Sequence, residues 1–522
     1  MNIMNKVTLK GLLKNKTRTI VTIIGVILST SMFTAVTTFI SSLQNYVIDF
    51  TIAEEGDWHG SFDDINMKDY MSLKDKDKLE EVALTNIVGY GMLEGGINQY
   101  KPYLRMMAVD EKAFDILPIR LVDGRLPLNN GEILVPEHIR SNGGVEYNIG
   151  DELVIELGDR VMDDGTVVTN QDAYIVGEND EIIESLEVNE TGTYKVVGIS
   201  KRLSYGFESY SEPGYTLITK MDKEDIGSGQ INAYVKVRKP QNTIKQIENL
   251  ANELGIEKYD YNADLLRYMG ISDNSGFNKV LYSLGGILTA LIMLGSISLI
   301  YNSFSISLSE RVKQFGMLSS VGATAKQRRN SVLFEAIVIA GIGIPFGVIA
   351  GIAGIGTTLY LLKGQLSSFL PNDYSVTLSL SVSVVSVIAA VVIAMATILI
   401  SASIPARRSK RISAMDAIRQ TTDIKLTSKK VKTSKLVGRL FGLEGNIALK
   451  NLKRNRRRYR STVISLFISV VLFVSASAFG MYLKDSVNNV YENTDYDLAY
   501  SNYQYSNKVR DEIDKGSYKD IL

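Results

Sequence analysis

Five stretches of this chain carry no charged side chain over a length that fits a bilayer: Thr19 to Ile48, Val280 to Leu308, Ala336 to Leu362, Ser375 to Ala406 and Ser461 to Leu483. A helix needs about 20 apolar residues to cross a hydrocarbon core, and within lipid its backbone groups must be satisfied internally. Five transmembrane helices are therefore expected, and a single soluble globule is excluded. The first run follows a basic amphipathic segment without a small-residue cleavage site. It reads as an anchor rather than a removed signal peptide.

Charge sets the expected orientation. Lys6, Lys10, Lys14, Lys16 and Arg18 precede the first run with no acid among them. Arg311, Lys313, Lys326, Arg328 and Arg329 lie between the second and third runs, and 407–460 is densely basic. These segments hold about half of the 57 Lys and Arg and about four acids, so the positive-inside rule places them in the cytoplasm. The formal net charge of +0 hides a basic inside and an acidic outside. The expected layout is a cytoplasmic amphipathic helix at 1–18, a span at 19–48 and an extracytoplasmic domain at 49–279. A second span follows at 280–308, a cytoplasmic helix and turn at 309–330, and spans at 331–362 and 375–406. A basic linker at 407–460, a fifth span at 461–483 and the start of a second extracytoplasmic region at 484–522 complete it.

The external segment is long enough to hold its fold by core packing, and it must, because the chain has no cysteine. DELVIELGD, TYKVVGIS and NAYVKVRK alternate β-branched and polar residues between Gly, Asp and Asn, as strands do. Asn242 to Gly255 has helical spacing instead. The fold class is thus an integral membrane α-helical protein with a large extracytoplasmic α+β domain.

VTLKGLLKNKTRTIVTI, from Val7, aligns with IALKNLKRNRRRYRSTV, from Ile447. Both are basic helices leading into a span. Duplication explains this, as does the general habit of basic residues flanking spans. Under duplication the fifth span opens a second repeat, and the 522 residues are expected to be an incomplete form of a longer protein.

Between the second and third runs stands SERVKQFGMLSSVGATAKQ, Ser309 to Gln327. Val312, Phe315, Leu318 and Val321, with the small Ser319, make one largely apolar face that could enter a groove on a partner. Gly322 is the expected C-cap and Thr324 the N-cap of the next helix. An interfacial helix lying on the membrane is the alternative. The segment resembles the cytoplasmic motif of FtsX/MacB-like ABC transporter permeases, of the lipoprotein-releasing and peptide-resistance type. Glu310, Arg311, Phe315, Gly316, Leu318, Gly322, Ala323, Thr324 and Gln327 fill that pattern. IPARRSKRISAMDAIR, Ile404 to Arg419, is similar to the family's segment after the fourth span through Pro405, Ala406, Arg407, Arg408, Asp416, Ala417 and Arg419. Asp416 and Ile418 depart conservatively from the usual Glu and Leu, while Ser413 and Met415 break the usual Pro-Val.

The resemblance implies a plasma-membrane permease subunit, multi-pass with a cytoplasmic N-terminus, whose cytoplasmic helix couples a separate dimeric ABC ATPase to the spans. ATP and Mg would bind that partner, since the chain has no G-x-x-x-x-G-K-[ST] phosphate loop and no cofactor of its own is expected. Beyond membrane lipids, the implied partners are a lipoprotein, a peptide or a cell-wall hydrolase outside. No catalytic constellation is visible, so no enzymatic activity is expected. His59 and His138 form no metal-ligand spacing, and the basic segments are accounted for by topology rather than nucleic acid. A receptor with an external ligand-binding domain is the competing class.

Two features lie within the spans. Gly343, Gly347 and Gly351 recur every four residues beside Pro345, as either a static packing face or a hinge. Glu335 is the acid nearest a span core. It is either a functional carboxylate or the partner of Arg328 or Arg329. No other charge lines the spans, which argues against an ion-coupled transporter.

Overall fold

Four helices among the described residues are long and apolar enough to cross a membrane. They run Lys16–Glu55, Gly276–Glu310, Ala325–Leu366 and Val384–Ser409, and are called here the first to fourth membrane helices. The computed structural model describes residues 3–168, 171–175, 183–222, 231–271, 276–366, 376–410 and 435–454, with isolated positions from 463 to 481. Most of the fifth apolar run, and 484–522, lie outside the described residues. The chain divides into a membrane unit, from 1–45, 279–371 and 377–498, and a sheet unit built around 46–278.

In the membrane unit, Val26 and Phe33 of the first helix, Ile300 and Phe304 of the second, Ala336, Ile339 and Ala340 of the third, and Ala390, Ala394 and Ile398 of the fourth form one core. An N-terminal helix, Ile3–Lys14, lies against the start of the third. Its Thr8 hydroxyl meets Ser331 Oγ at 2.6 Å, and Leu12 joins the core. One expectation needs correction: the fourth helix begins at Val384, and 376–383 carry no helix. There the sequence alternates Ser or Thr with Val or Leu, and such residues favour extended backbone. Ser381 instead donates its N–H to Ser42 Oγ at 3.0 Å on the first helix.

Among the described residues the sheet unit has ten strands: β1 Gly60–Ile65, β2 Leu79–Met92, β3 Tyr103–Val109, β4 Leu121–Gly124, β5 Glu132–Pro136, β6 Glu152–Met162, β7 Glu184–Ser200, β8 Gly214–Lys220, β9 Ile231–Val237 and β10 Tyr259–Tyr261. Their order is β10-β1-β9-β2-β3-β8-β5-β7-β4, with β3–β8 and β5–β7 parallel. β6 pairs with both β7 and β2, which closes β2-β3-β8-β5-β7-β6 into a ring. Closure requires glycine at 158, where a Cβ would collide with the Glu187 carbonyl. Leu104, Met106, Ile133, Val135, Ile155, Leu157, Val196 and Leu217 pack together around the ring strands. The helix Thr243–Leu254 buries Ile247, Leu250 and Ala251 with β1 and β9 residues, and ends on Gly255 at φ 71°.

Candidate functional site

The second membrane helix ends at Glu310, and a separate helix, Val312–Ser320, follows after Arg311. Gly322 terminates it at φ 96°, a conformation that side chains with a Cβ rarely adopt. The Ala323 N–H returns to Leu318 O at 2.9 Å, satisfying a terminal carbonyl. Thr324 and Gln327 then open the third membrane helix reciprocally. Gln327 N–H donates to Thr324 Oγ1 at 3.2 Å, and Thr324 N–H donates to Gln327 Oε1 at 2.8 Å. This is a capping box, and it fixes the direction in which the third helix leaves the turn.

The connecting helix faces differently from the simplest reading of its amphipathicity. Phe315 is 1% exposed and packs with Leu308 of the second helix, Val332 of the third and Ala406 of the fourth, with Leu318 and Leu333 alongside. Gly316 is buried beside it. The face on which docking was expected is therefore turned, at its centre, onto the membrane helices. The cause is that these helices expose apolar side chains at their ends and the short helix covers them. Solvent instead meets Lys313, Gln314, Ser320, Met317 at 49% exposure and Val321 at 87%.

Glu335 also has partners other than Arg328 or Arg329. Arg311 Nη1 donates to its Oε2 at 2.6 Å and Ser307 Oγ to its Oε1 at 3.1 Å, while Arg18 Nη2 stands 3.7 Å from Oε1. Arg18 Nη1 also donates to Glu310 Oε2 at 2.9 Å. Two arginines and two glutamates, from three membrane helices and the residue joining the second to the connecting helix, thus balance in charge. Glu335 and Arg311 are 4% and 6% exposed at their side chains, and burial of this degree demands such pairing. Arg328 turns instead to the Lys410 carbonyl at 3.4 Å. Arg311 further lies 5.1 Å from the Phe315 ring centre, joining the charged and apolar parts.

The segment after the fourth span reaches the same place. Pro405 and Ala406 are buried, Ala406 against Phe315, whereas Arg407 and Arg408 are exposed in the last turn. Asp416, Ala417 and Arg419 lie outside the described residues. Farther along the third helix, a methyl on Gly343 would stand 2.5 Å from Val26 Cγ1, on Gly347 2.5 Å from Thr30 Cβ, and on Gly351 2.6 Å from Ser31 O. These three glycines therefore let the first and third helices touch. Pro345 lies on the exposed side of that helix.

The sheet unit holds a polar cluster that no spacing in the sequence announces. Glu208, 1% exposed, accepts from Lys101 Nζ at 3.0 Å, Arg202 Nε at 3.1 Å and Thr216 N–H at 3.2 Å, and its Oε1 lies 2.9 Å from His138 Nε2. Burial pushes this carboxyl up, but His138 and Lys101 outweigh burial and hold it at about 2. Burial also lowers the Lys101 ammonium, which Glu208 partly restores. Arg160 is fully buried on Glu184 at 2.8 Å, near the rings of Tyr90 and Tyr103. His59 accepts from Val237 N–H at 2.9 Å. Trp58 packs edge-on to Tyr234 and Phe207, so it belongs to the core of this unit.

The turn and the helices it joins fall within residues 286–414, which match the family described as FtsX-like permease C-terminal. These residues of the membrane unit are thus similar to the C-terminal part of FtsX-like permeases. The chain is also similar to the uncharacterized ABC transporter permease YvrN of Bacillus subtilis (strain 168), with 22% identity over 330 residues, 61% of this chain and 70% of that one. Among solved structures, the extracellular domain of the noncanonic ABC-type transporter YknZ from Gram-positive bacteria is similar at 12% identity and a TM-score of 0.24. The match covers 39% of this chain and 98% of that one. The periplasmic region of MacB from Actinobacillus actinomycetemcomitans is similar at 12% identity and a TM-score of 0.26, covering 42% and 95%. The four long apolar helices agree with a multi-pass membrane protein.

Proposed function

We propose that this FtsX-like permease receives a separate ATPase dimer on the outer face of the connecting helix, with Lys313, Met317 and Val321 as the contact residues. ATP and Mg would act on the partner alone. Movement of the docked helix would pass through Phe315 and Arg311 into the second, third and fourth membrane helices, and from them to the sheet unit outside the cell. The N-terminus is then cytoplasmic, in the plasma membrane. The observation that carries this reading is the division of the nine-residue helix into a face locked on the spans and a face open to solvent. A helix held on one side and bare on the other can transmit displacement rather than merely anchor a loop. The tight glycine contact between the first and third helices would make them move as a pair. The work done outside would be export, extraction or mechanical control of a lipoprotein, a peptide or a cell-wall hydrolase.

The experiment is affinity purification of the chain from solubilised membranes, scoring ATPase activity in what accompanies it. Val321→Asp should lose the ATPase while the protein stays folded. Retention of the ATPase by Val321→Asp and Met317→Asp alike would contradict the docking face, and a chain that never brings down an ATPase would favour the receptor class.

A further inference from the structure

The N-terminal helix and the start of the third membrane helix leave a groove of about 370 Å³ between them. Gln327 and Asn330 line it where the third helix is polar, and Leu333, Phe334 and Ile337 line it where the helix becomes apolar; Met4 and Asn5 belong to the N-terminal helix opposite. From Gln327 to Ile337 the helix rises about 15 Å, so one groove runs from an amide-bearing mouth to a hydrocarbon wall. The two helices are fixed together nearby by the Thr8–Ser331 contact.

Three cations are chain neighbours of the polar residues that line the groove. Lys6 follows Asn5, Lys326 precedes Gln327 and Arg329 precedes Asn330. Lys6 and Lys326 are exposed, Arg329 is half-buried, and none of the three forms a salt bridge among the described residues. No acid lines the groove, and the acid nearest it in sequence, Glu335, is occupied by Arg311 and Ser307. Amides and cations at one end suit a phosphodiester, and the aromatic and branched side chains at the other suit an acyl chain.

We propose that this groove binds one anionic glycerophospholipid. Its phosphate would sit against Gln327, Asn330 and the flanking cations, with part of one acyl chain along Leu333, Phe334 and Ile337. The rest of the lipid would remain in the bilayer, since the volume takes only a portion of it. Bound there, the lipid would brace the N-terminal helix against the third membrane helix. This assignment stands whether or not an ATPase docks on the connecting helix.

The test uses the full 522-residue chain in a non-ionic detergent, titrated at low lipid ratio with dioleoylphosphatidylglycerol or dioleoylphosphatidylcholine, counting retained lipids by native mass spectrometry. One phosphatidylglycerol should be retained in preference to phosphatidylcholine. Retention should weaken about fivefold in each of Lys6→Ala and Lys326→Ala, surface changes that leave folding intact. Asn330→Trp, which fills the groove, should abolish it. Equal retention of the two lipids, an unchanged preference in both lysine variants, or displacement by excess inorganic phosphate would overturn the proposal.

Discussion

Arg311 Nη1 and Glu335 Oε2 lie 2.6 Å apart at the foot of the membrane helices, both nearly excluded from solvent. The pair ties the start of the connecting helix to the third membrane helix, and Arg18 adds the first. Removing Glu335 strips the buried Arg311 of its carboxylate, and removing Arg311 leaves Glu335 with only Arg18 and Ser307, at a cost of up to about 3–5 kcal/mol. Arg311→Met and Glu335→Gln should therefore each lower the thermal midpoint in detergent markedly. The double variant should lose less than the sum, and strict additivity in that cycle would show the pair to be uncoupled.

Phe315 and Val321 are six positions apart but face opposite environments. Phe315→Asp should destabilise the fold by several kcal/mol, because it places a carboxylate among Leu308, Val332 and Ala406. Val321→Asp should leave the stability within about 0.5 kcal/mol of the parent, as exposed substitutions generally do. Differential scanning fluorimetry on the two proteins separates a structural position from a docking one.

Gly347 and Gly354 offer a matched pair on the third helix. A methyl at 347 meets Thr30 Cβ at 2.5 Å, whereas at 354 it meets nothing within 4 Å. Gly347→Ala should cost about 1–3 kcal/mol through overpacking, and Gly354→Ala should be neutral or slightly stabilising. Equal midpoints for the two variants would mean that the first and third helices do not approach as closely as described.

In the sheet unit, Glu208 provides a pH signature. Its carboxyl titrates at about 2 when folded against an ordinary value of 4.5. A depressed carboxylate contributes stability that is fully present above its unfolded value and disappears as pH falls toward the folded one. The sheet unit should thus weaken between about pH 4.5 and 2, and Glu208→Gln should flatten this dependence at the cost of lower stability at neutral pH. Trp58 is the single tryptophan of the chain and packs on Phe207, so its fluorescence reports this unit alone.

Much of the membrane unit is written locally. Absence of charge marks the helices, and Gly322 with Thr324 and Gln327 marks the turn, because caps depend on residues within one turn of each other. What the sequence conceals is which surface a helix meets. Amphipathicity gives the connecting helix an apolar face but not its occupant, so Phe315 reads as equally suited to a partner or to the spans. The partners of Glu335 are hidden similarly. Arg328 and Arg329 are near in sequence, while Arg311 and Arg18 arrive only through packing of separate helices. In the sheet unit the strands of β6, β7 and β9 are visible as alternation, yet ring closure at Gly158 and the cluster on Glu208 depend on contacts between distant segments. The non-helical stretch at 376–383 shows the opposite case, in which period-two alternation is present but masked by the absence of charge.

In the proposed mechanism an ATPase meets the solvent face of the connecting helix. The chain contains no cysteine, so a thiol introduced as Val321→Cys is unique. Cross-linking from that thiol in native membranes, with Phe315→Cys as the buried control, tests the claim most directly. A covalent adduct between the permease and an ATPase subunit should form from position 321 and none from 315. Adducts with the ATPase from other cytoplasmic positions, but none from 321 or from Met317→Cys, would contradict it.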